Sequence, residues 1–170
     1  MNQNVVNLTK TALVAALYLV LGFLFQPVSF GPLQFRVAEI TNPIAVFNKR
    51  YIWGITIGCF LFNLFSSPNA LIDMGIGTAN TLVMTAGSYY IAKHVKNYWT
   101  KLLISPFIGA ISMFMIAAEL YWFAAAPFWI TYGTLMVTQF AMMLIGAVIF
   151  GIIEEKTHFF RDESKNTSSN

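Results

Sequence analysis

An all-α membrane protein with six transmembrane helices is the fold class this sequence predicts, and three observations predict it. Of 170 residues, 57% are hydrophobic and only 10% are charged, whereas soluble domains carry about 25% charged residues. The apolar residues fall in six blocks: Leu8–Phe25, Val37–Phe47, Ile52–Phe65, Leu71–Ala92, Leu102–Phe123 and Phe128–Ile153. With six spans, Lys10, Lys49, Arg50, Lys93, Lys96, Lys101, Lys156, Arg161 and Lys165 all lie on one side of the membrane, and Arg36 stands alone on the other.

Backbone polar groups in lipid must be satisfied within the chain, which leaves helices or a closed barrel. The apolar runs lack a period of two, so they are helices. A crossing takes about 20 apolar residues; the first, fourth, fifth and sixth blocks meet this and the second and third are short. Asn48, Lys49 and Arg50 part those two blocks, and three polar residues are costly in mid-bilayer, so the triplet marks a membrane surface. The Lys/Arg excess marks the cytoplasmic face. Both termini are therefore expected in the cytoplasm and the chain in the cell membrane as a multi-pass protein. Residues 1–153 form one six-helix domain, and 154–170 form a polar cytoplasmic tail whose end, KNTSSN, is expected to be disordered. No small-residue cleavage site follows the first apolar run, so it reads as an uncleaved span. The net charge of +3 is an orientation signal and needs no nucleic-acid partner. The lone Cys59 cannot form an internal disulfide.

Taken in order, the spans carry few polar groups, and most gather at one level. The first span has Ala12-x-x-x-Ala16, a strip on which another helix can pack closely. The stretch FGPLQF follows, with Gly31-Pro32 setting a turn; it is expected to fold over the outer end as a lid. Arg36 and Glu39 open the second span and are expected to pair. Asn63 lies near the outer end of the third. The fourth starts outside and sets Asp73, Gly77 and Asn80 on one face, beside the small residues Gly75, Thr78 and Ala79. The fifth starts inside, so Glu119 comes roughly 27 Å later, near the outer surface, with Trp122 a turn beyond. In the sixth, Trp129, Tyr132, Met136 and Gln139 share a face.

These residues predict an outward-facing pocket built from Arg36, Glu39, Asn63, Asp73, Asn80, Glu119, Trp122, Trp129, Tyr132 and Gln139, of the mixed aromatic and hydrogen-bonding kind that holds small molecules. The simpler readings are that Tyr121, Trp122 and Trp129 are interfacial belt residues, that Asp73 favours a helix start and that Arg36–Glu39 is a structural pair. Glu119, flanked by MIAA and LYWFAAA, is a functional residue by default. Three carboxylates and one guanidinium leave an excess of negative charge, which suits a flat, nitrogen-rich compound.

No H-E-x-x-H or G-x-S-x-G motif occurs, and His94 and His158 lie in cytoplasmic segments, so neither an enzyme nor a metal or cofactor site is expected. A scaffold does not need outer-leaflet carboxylates from three helices, and a channel places polar residues along its whole depth. There is no phosphate-binding G-x-x-x-x-G-K-[ST] loop; any ATPase is a separate protein.

QFRVAE (34–39), NLFSSPNALIDMGIGTANTL (63–82), AELYWF (118–123) and PFWIT (127–131), together with the helix-one alanines, resemble the QueT family. Its members are substrate-binding S components of energy-coupling factor (ECF) transporters. The resemblance implies an S-component bundle that takes up a queuosine precursor: a 7-deazaguanine such as the 7-aminomethyl or 7-cyano form, or queuine. It implies a transmembrane coupling protein and two cytoplasmic ATPases as partners, with Ala12 and Ala16 packing on the coupling protein and the S component toppling to release its cargo. On that reading Glu119 or Glu39 accepts the ring N–H and amino group, Trp122 or Trp129 stacks on the ring, and Asp73 or the second glutamate suits an ammonium. The family often carries an acid in the sixth span where this chain has Gln139. Another flat heterocyclic vitamin is the nearest rival substrate.

Overall fold

In the computed structural model, which describes residues 2–29, 34–67 and 70–161, the chain is helical throughout its regular elements. They are α1 (Gln3–Leu24), the single turn α2 (Gln26–Ser29), a 3-10 helix η1 (Val37–Val46), α3 (Arg50–Ser66), α4 (Ala70–Ala92), α5 (Tyr98–Ser112), α6 (Phe114–Ala124) and α7 (Phe128–Thr157). Asparagines begin two of them. The Asn2 side chain accepts from Asn4 N–H at the start of α1, and Asn97 accepts from Thr100 N–H at 3.0 Å at the start of α5, which satisfies donors a helix start leaves free. Ala125 (φ 53°) and His158 (φ 51°) end α6 and α7 in the left-handed conformation. Gly31 and Pro32, and with them the turn expected of FGPLQF, lie outside the described residues, as does Asp162–Asn170.

The molecule is apolar on its surface, and its interior combines hydrophobic clusters with many buried polar groups. Leu8, Val20, Trp53, Ile130 and Val137 are each at least 60% exposed, while Asn42, Asn80, Thr81, Thr85, Ser88 and Gln139 are buried. Such a surface is far more apolar than water tolerates on a monomer, and it fits lipid as the solvent. Among the described residues, three helical stretches are long and apolar enough to cross a membrane: Gln3–Leu24, Phe128–Thr157, and Tyr98–Ala124, in which α5 and α6 join over 27 residues.

The second apolar run departs from expectation. It forms a ten-residue 3-10 helix, about 20 Å long at about 2.0 Å per residue, which is shorter than a hydrocarbon core of about 30 Å. Only Val37 and Ile40 among its residues escape full burial. Pro43 supplies no N–H and crowds the preceding turn, and Thr41 turns its hydroxyl onto Ala38 O at 2.8 Å. Apolar composition here reflects burial by protein, with α1, α3, α4, α5 and α7 all packed around η1.

Two close approaches fix this arrangement. On α3, Gly54 and Gly58 meet α1: a Cβ on Gly54 would lie 2.8 Å from Thr11 O, and one on Gly58 would lie 3.0 Å from Ala15 O. This G-x-x-x-G pair lets the two backbones touch. On α7, a Cβ on Gly146 would meet the carbonyl oxygen of Ile40 and lie 2.7 Å from its carbonyl carbon. Glycine alone lets α7 lie against η1.

The tail expected to begin at residue 154 is folded at least to Arg161. Glu154 is fully buried and accepts from Phe160 N–H (2.7 Å), Arg161 N–H (3.2 Å) and the Arg161 guanidinium (3.3 Å). The hook this makes drops Phe160 among Phe47, Tyr51, Phe150 and Phe159. Lys10 then donates to Phe159 O at 2.6 Å, tying the segment after α7 to α1. A carboxylate aimed at exposed backbone donors makes this acidic segment part of the packed unit.

Candidate functional site

The polar groups meet where η1, α4, α6 and α7 converge. Glu39 is a hub. Its Oε1 accepts from the Tyr18 hydroxyl of α1 at 3.0 Å, and its Oε2 accepts from Asn42 Nδ2 and from Gln139 Nε2 of α7 at 3.4 Å. Three donors from three elements hold one buried carboxylate, so its acceptor capacity is largely used within the protein. Two methionines close the network: Asn42 Nδ2 and Gln139 Nε2 lie 3.6 and 3.7 Å from Met84 Sδ, and Gln139 Nε2 lies 3.2 Å from Met143 Sδ.

Arg36 interacts electrostatically with Glu39, as expected, and makes its ion-pair contact within 4 Å with Asp73. Its Nη2 lies 3.9 Å from Asp73 Oδ1 across the gap to α4, and Nη1 reaches within 3.5 Å of where a Gly77 side chain would begin. The absence of a Cβ at Gly77 makes room for the Asn63 amide, whose Nδ2 would lie 2.7 Å from it, while the guanidinium rests at contact distance. Asp73 also accepts from Ser67 and interacts with Glu119 of α6. Asn63 is buried and donates to Asp73 O at 2.9 Å, clamping α3 to α4.

Several of these groups keep hydrogen-bonding capacity unused within the protein. Arg36 Nη2, Asn42 Oδ1, both polar atoms of Asn80, and Glu119 Oε2 are buried without a hydrogen-bond partner. Their residues are at most 6% exposed. A buried polar atom without a partner costs about 1–3 kcal/mol, and native proteins hold few of them. Here five come from three stretches of chain in one region.

The expected aromatic walls are elsewhere. Trp122 and Trp129 are 75% and 79% exposed, on outward faces of α6 and α7, where an amphipathic ring suits a membrane interface. Tyr132 is half-buried, stacks with Phe128 and donates to Ile111 O at 3.2 Å. Along α7 the residues at positions 129, 132, 136 and 139 pass from exposed to buried, because an i, i+3, i+7, i+10 series drifts around a 3.6-residue helix. Ala12 and Ala16 are exposed; α1 packs on α3 through neighbouring positions and leaves this strip uncovered.

Comparison with known proteins agrees with a membrane bundle. Residues 8–155 match the family model described as QueT transporter. The chain belongs to the QueT transporter family. It is 36% identical over 164 residues to the queuosine precursor transporter QueT of Lactococcus lactis subsp. cremoris (strain MG1363), an alignment covering 91% of this chain and 96% of that one. No solved structure matches. The family expected from the motifs is thus borne out, and this QueT member is a membrane transport protein.

Within the QueT bundle, three residues matter that sequence reasoning passed over. Tyr18 and Met84 look like ordinary span residues, and nothing local marks them. Asn42 carried a signal: it is an amide inside an apolar run, the same anomaly that singled out Glu119.

Proposed function

We propose that this QueT protein is the substrate-binding S component of an ECF-type importer for a queuosine precursor, a 7-deazaguanine. The cluster of buried, unpartnered donors and acceptors on Arg36, Asn42, Asn80 and Glu119 carries the proposal. Such a cluster is destabilising alone and becomes favourable when a polar ligand supplies the missing partners. The name of the Lactococcus relative, a queuosine precursor transporter, supports the ligand class. A deazaguanine offers a ring N–H, an exocyclic amino group and a carbonyl, which match acceptors and donors of this kind.

Six membrane crossings with cytoplasmic termini in the plasma membrane remain the proposed topology, supported by the one-sided lysines and arginines. In it η1 is a protein-wrapped segment that leads into the membrane from the outer side. The bare Ala12–Ala16 strip supports docking to a transmembrane coupling protein that links the chain to two ATPases. Ala16→Phe is expected to leave substrate binding within about twofold and to abolish co-purification with the coupling protein, because small-residue strips bind through close backbone approach. Pull-down with the ATPase module beside a binding assay checks both halves.

The ligand is tested by purifying the protein from cells grown with mixed deazaguanines and identifying bound small molecules by mass spectrometry. A deazaguanine at near-stoichiometric amount is expected. Recovery of a different ring compound in its place overturns the ligand class and favours an S component for another vitamin.

A further inference from the structure

We infer that the site is bipartite: a neutral amide end made by Asn42 and Asn80 holds the ring edge of the substrate, and a charged end made by Arg36, Asp73 and Glu119 holds a cationic substituent. This deepens, and rests on, the proposed uptake of a 7-deazaguanine.

The order of groups along α4 gives the two ends. Asp73, Gly77, Asn80 and Met84 recur at helical spacing and share one face. Arg36 is placed against the first two, beside Asp73 and over Gly77. Asn42 is placed against the last, with Nδ2 at 3.6 Å from Met84 Sδ. Asn80 therefore sits between the guanidinium level and the Asn42 level, about 10 Å along the helix from Asp73. That distance matches the length of a bicyclic ring with a one-carbon substituent.

The chemistry of the ends differs. Asn80 has both Nδ2 and Oδ1 buried and unpartnered. A primary amide with both atoms free pairs bidentately with a lactam edge, accepting from ring N–H and donating to C=O. Asn42 Oδ1 is a further unpartnered acceptor at this end, suited to an exocyclic amino group. At the other end two carboxylates lie beside one guanidinium, and Glu119 Oε2 is an unpartnered acceptor. An ammonium on a methylene arm fits it; a nitrile offers no donor. Glu39 is excluded from either task because Tyr18, Asn42 and Gln139 occupy it.

The test is binding of 7-aminomethyl-7-deazaguanine and 7-cyano-7-deazaguanine to purified wild type, Glu119→Gln, Asn80→Asp and Asn80→Leu, each checked for a wild-type-like elution profile and melting curve. Wild type is expected to prefer the amine. Glu119→Gln is expected to lower affinity for the amine about tenfold more than for the nitrile, as loss of a charge-assisted hydrogen bond does. Both Asn80 variants are expected to lower affinity for the two compounds about equally, by about tenfold or more. Preference of wild type for the nitrile, equal losses in Glu119→Gln, or undiminished binding in folded Asn80→Asp overturns the bipartite assignment. Failure of wild type to bind either compound instead overturns the deazaguanine reading, so the two failures are distinct.

Discussion

Gly146→Val is expected to prevent this protein from accumulating as a folded, monodisperse species. A side chain at 146 would enter the space held by the carbonyl of Ile40. That obstacle is backbone, so rotamer changes cannot relieve it; α7 and η1 must separate. Overpacking a core typically costs about 1–3 kcal/mol and occasionally more, and a clash with a main-chain carbonyl belongs at the top of that range. Separation also disturbs the Gln139–Glu39 contact on the same two elements. Gly133→Val in the same helix is the control, since a Cβ there meets nothing within 4 Å. Fluorescence-detected size exclusion after graded heating compares them. Equal melting of the two variants contradicts the close approach.

Glu39→Ala carries the second large effect. The carboxylate is 1% exposed and accepts from Tyr18, Asn42 and Gln139. Removing it leaves three buried donors without their acceptor, at about 1–3 kcal/mol each, and adds a cavity. A total loss of about 4 kcal/mol is expected after relaxation. Glu39→Gln keeps the shape but turns an amide NH₂ toward neighbouring donors, so it should fall between wild type and alanine. Tyr18→Phe removes one donor and leaves the acceptor served by the other two, so it should cost about 1 kcal/mol. Thermal melts of detergent-solubilised protein test this order. Substrate affinity should fall with Glu39→Ala as well, because Asn42 is positioned by the same carboxylate. A Glu39→Ala protein as stable as wild type removes Glu39 from its role as hub.

Glu39 and Glu119 show how far local sequence reaches. Both are acids within apolar runs, and the sequence marks both as costly and therefore purposeful. It cannot separate their tasks, because two partners of Glu39, Tyr18 and Gln139, lie 21 and 100 residues away along the chain. The partner of Arg36 illustrates the same limit. Glu39 is three residues away, and proximity in sequence makes it the natural guess. Glu39 does interact with the guanidinium, but the closer ion-pair contact is made with Asp73 of α4, which nothing local announces. For Trp122 and Trp129 the sequence offered both a pocket wall and an interfacial belt and could not choose, since rotation about a helix axis is set by what that helix packs against.

The sequence by itself determined an all-helical, lipid-compatible chain with a few deep polar residues. Mean apolarity, the lack of alternation and the scarcity of charge are sums over residues, and each is fixed before anything folds. The family followed from the order and spacing of short motifs, which are also properties of the string. Only the tertiary structure decided that the second apolar run is a 3-10 strut wrapped by five helices, that residues 154–161 hook back onto α1, and which polar atoms are left without partners. Those outcomes depend on backbone approaches a few ångströms wide, at Gly54, Gly58 and Gly146. Hydrogen bonds and steric contact act over such distances, so the result is settled by elements that are remote in the chain and adjacent in space.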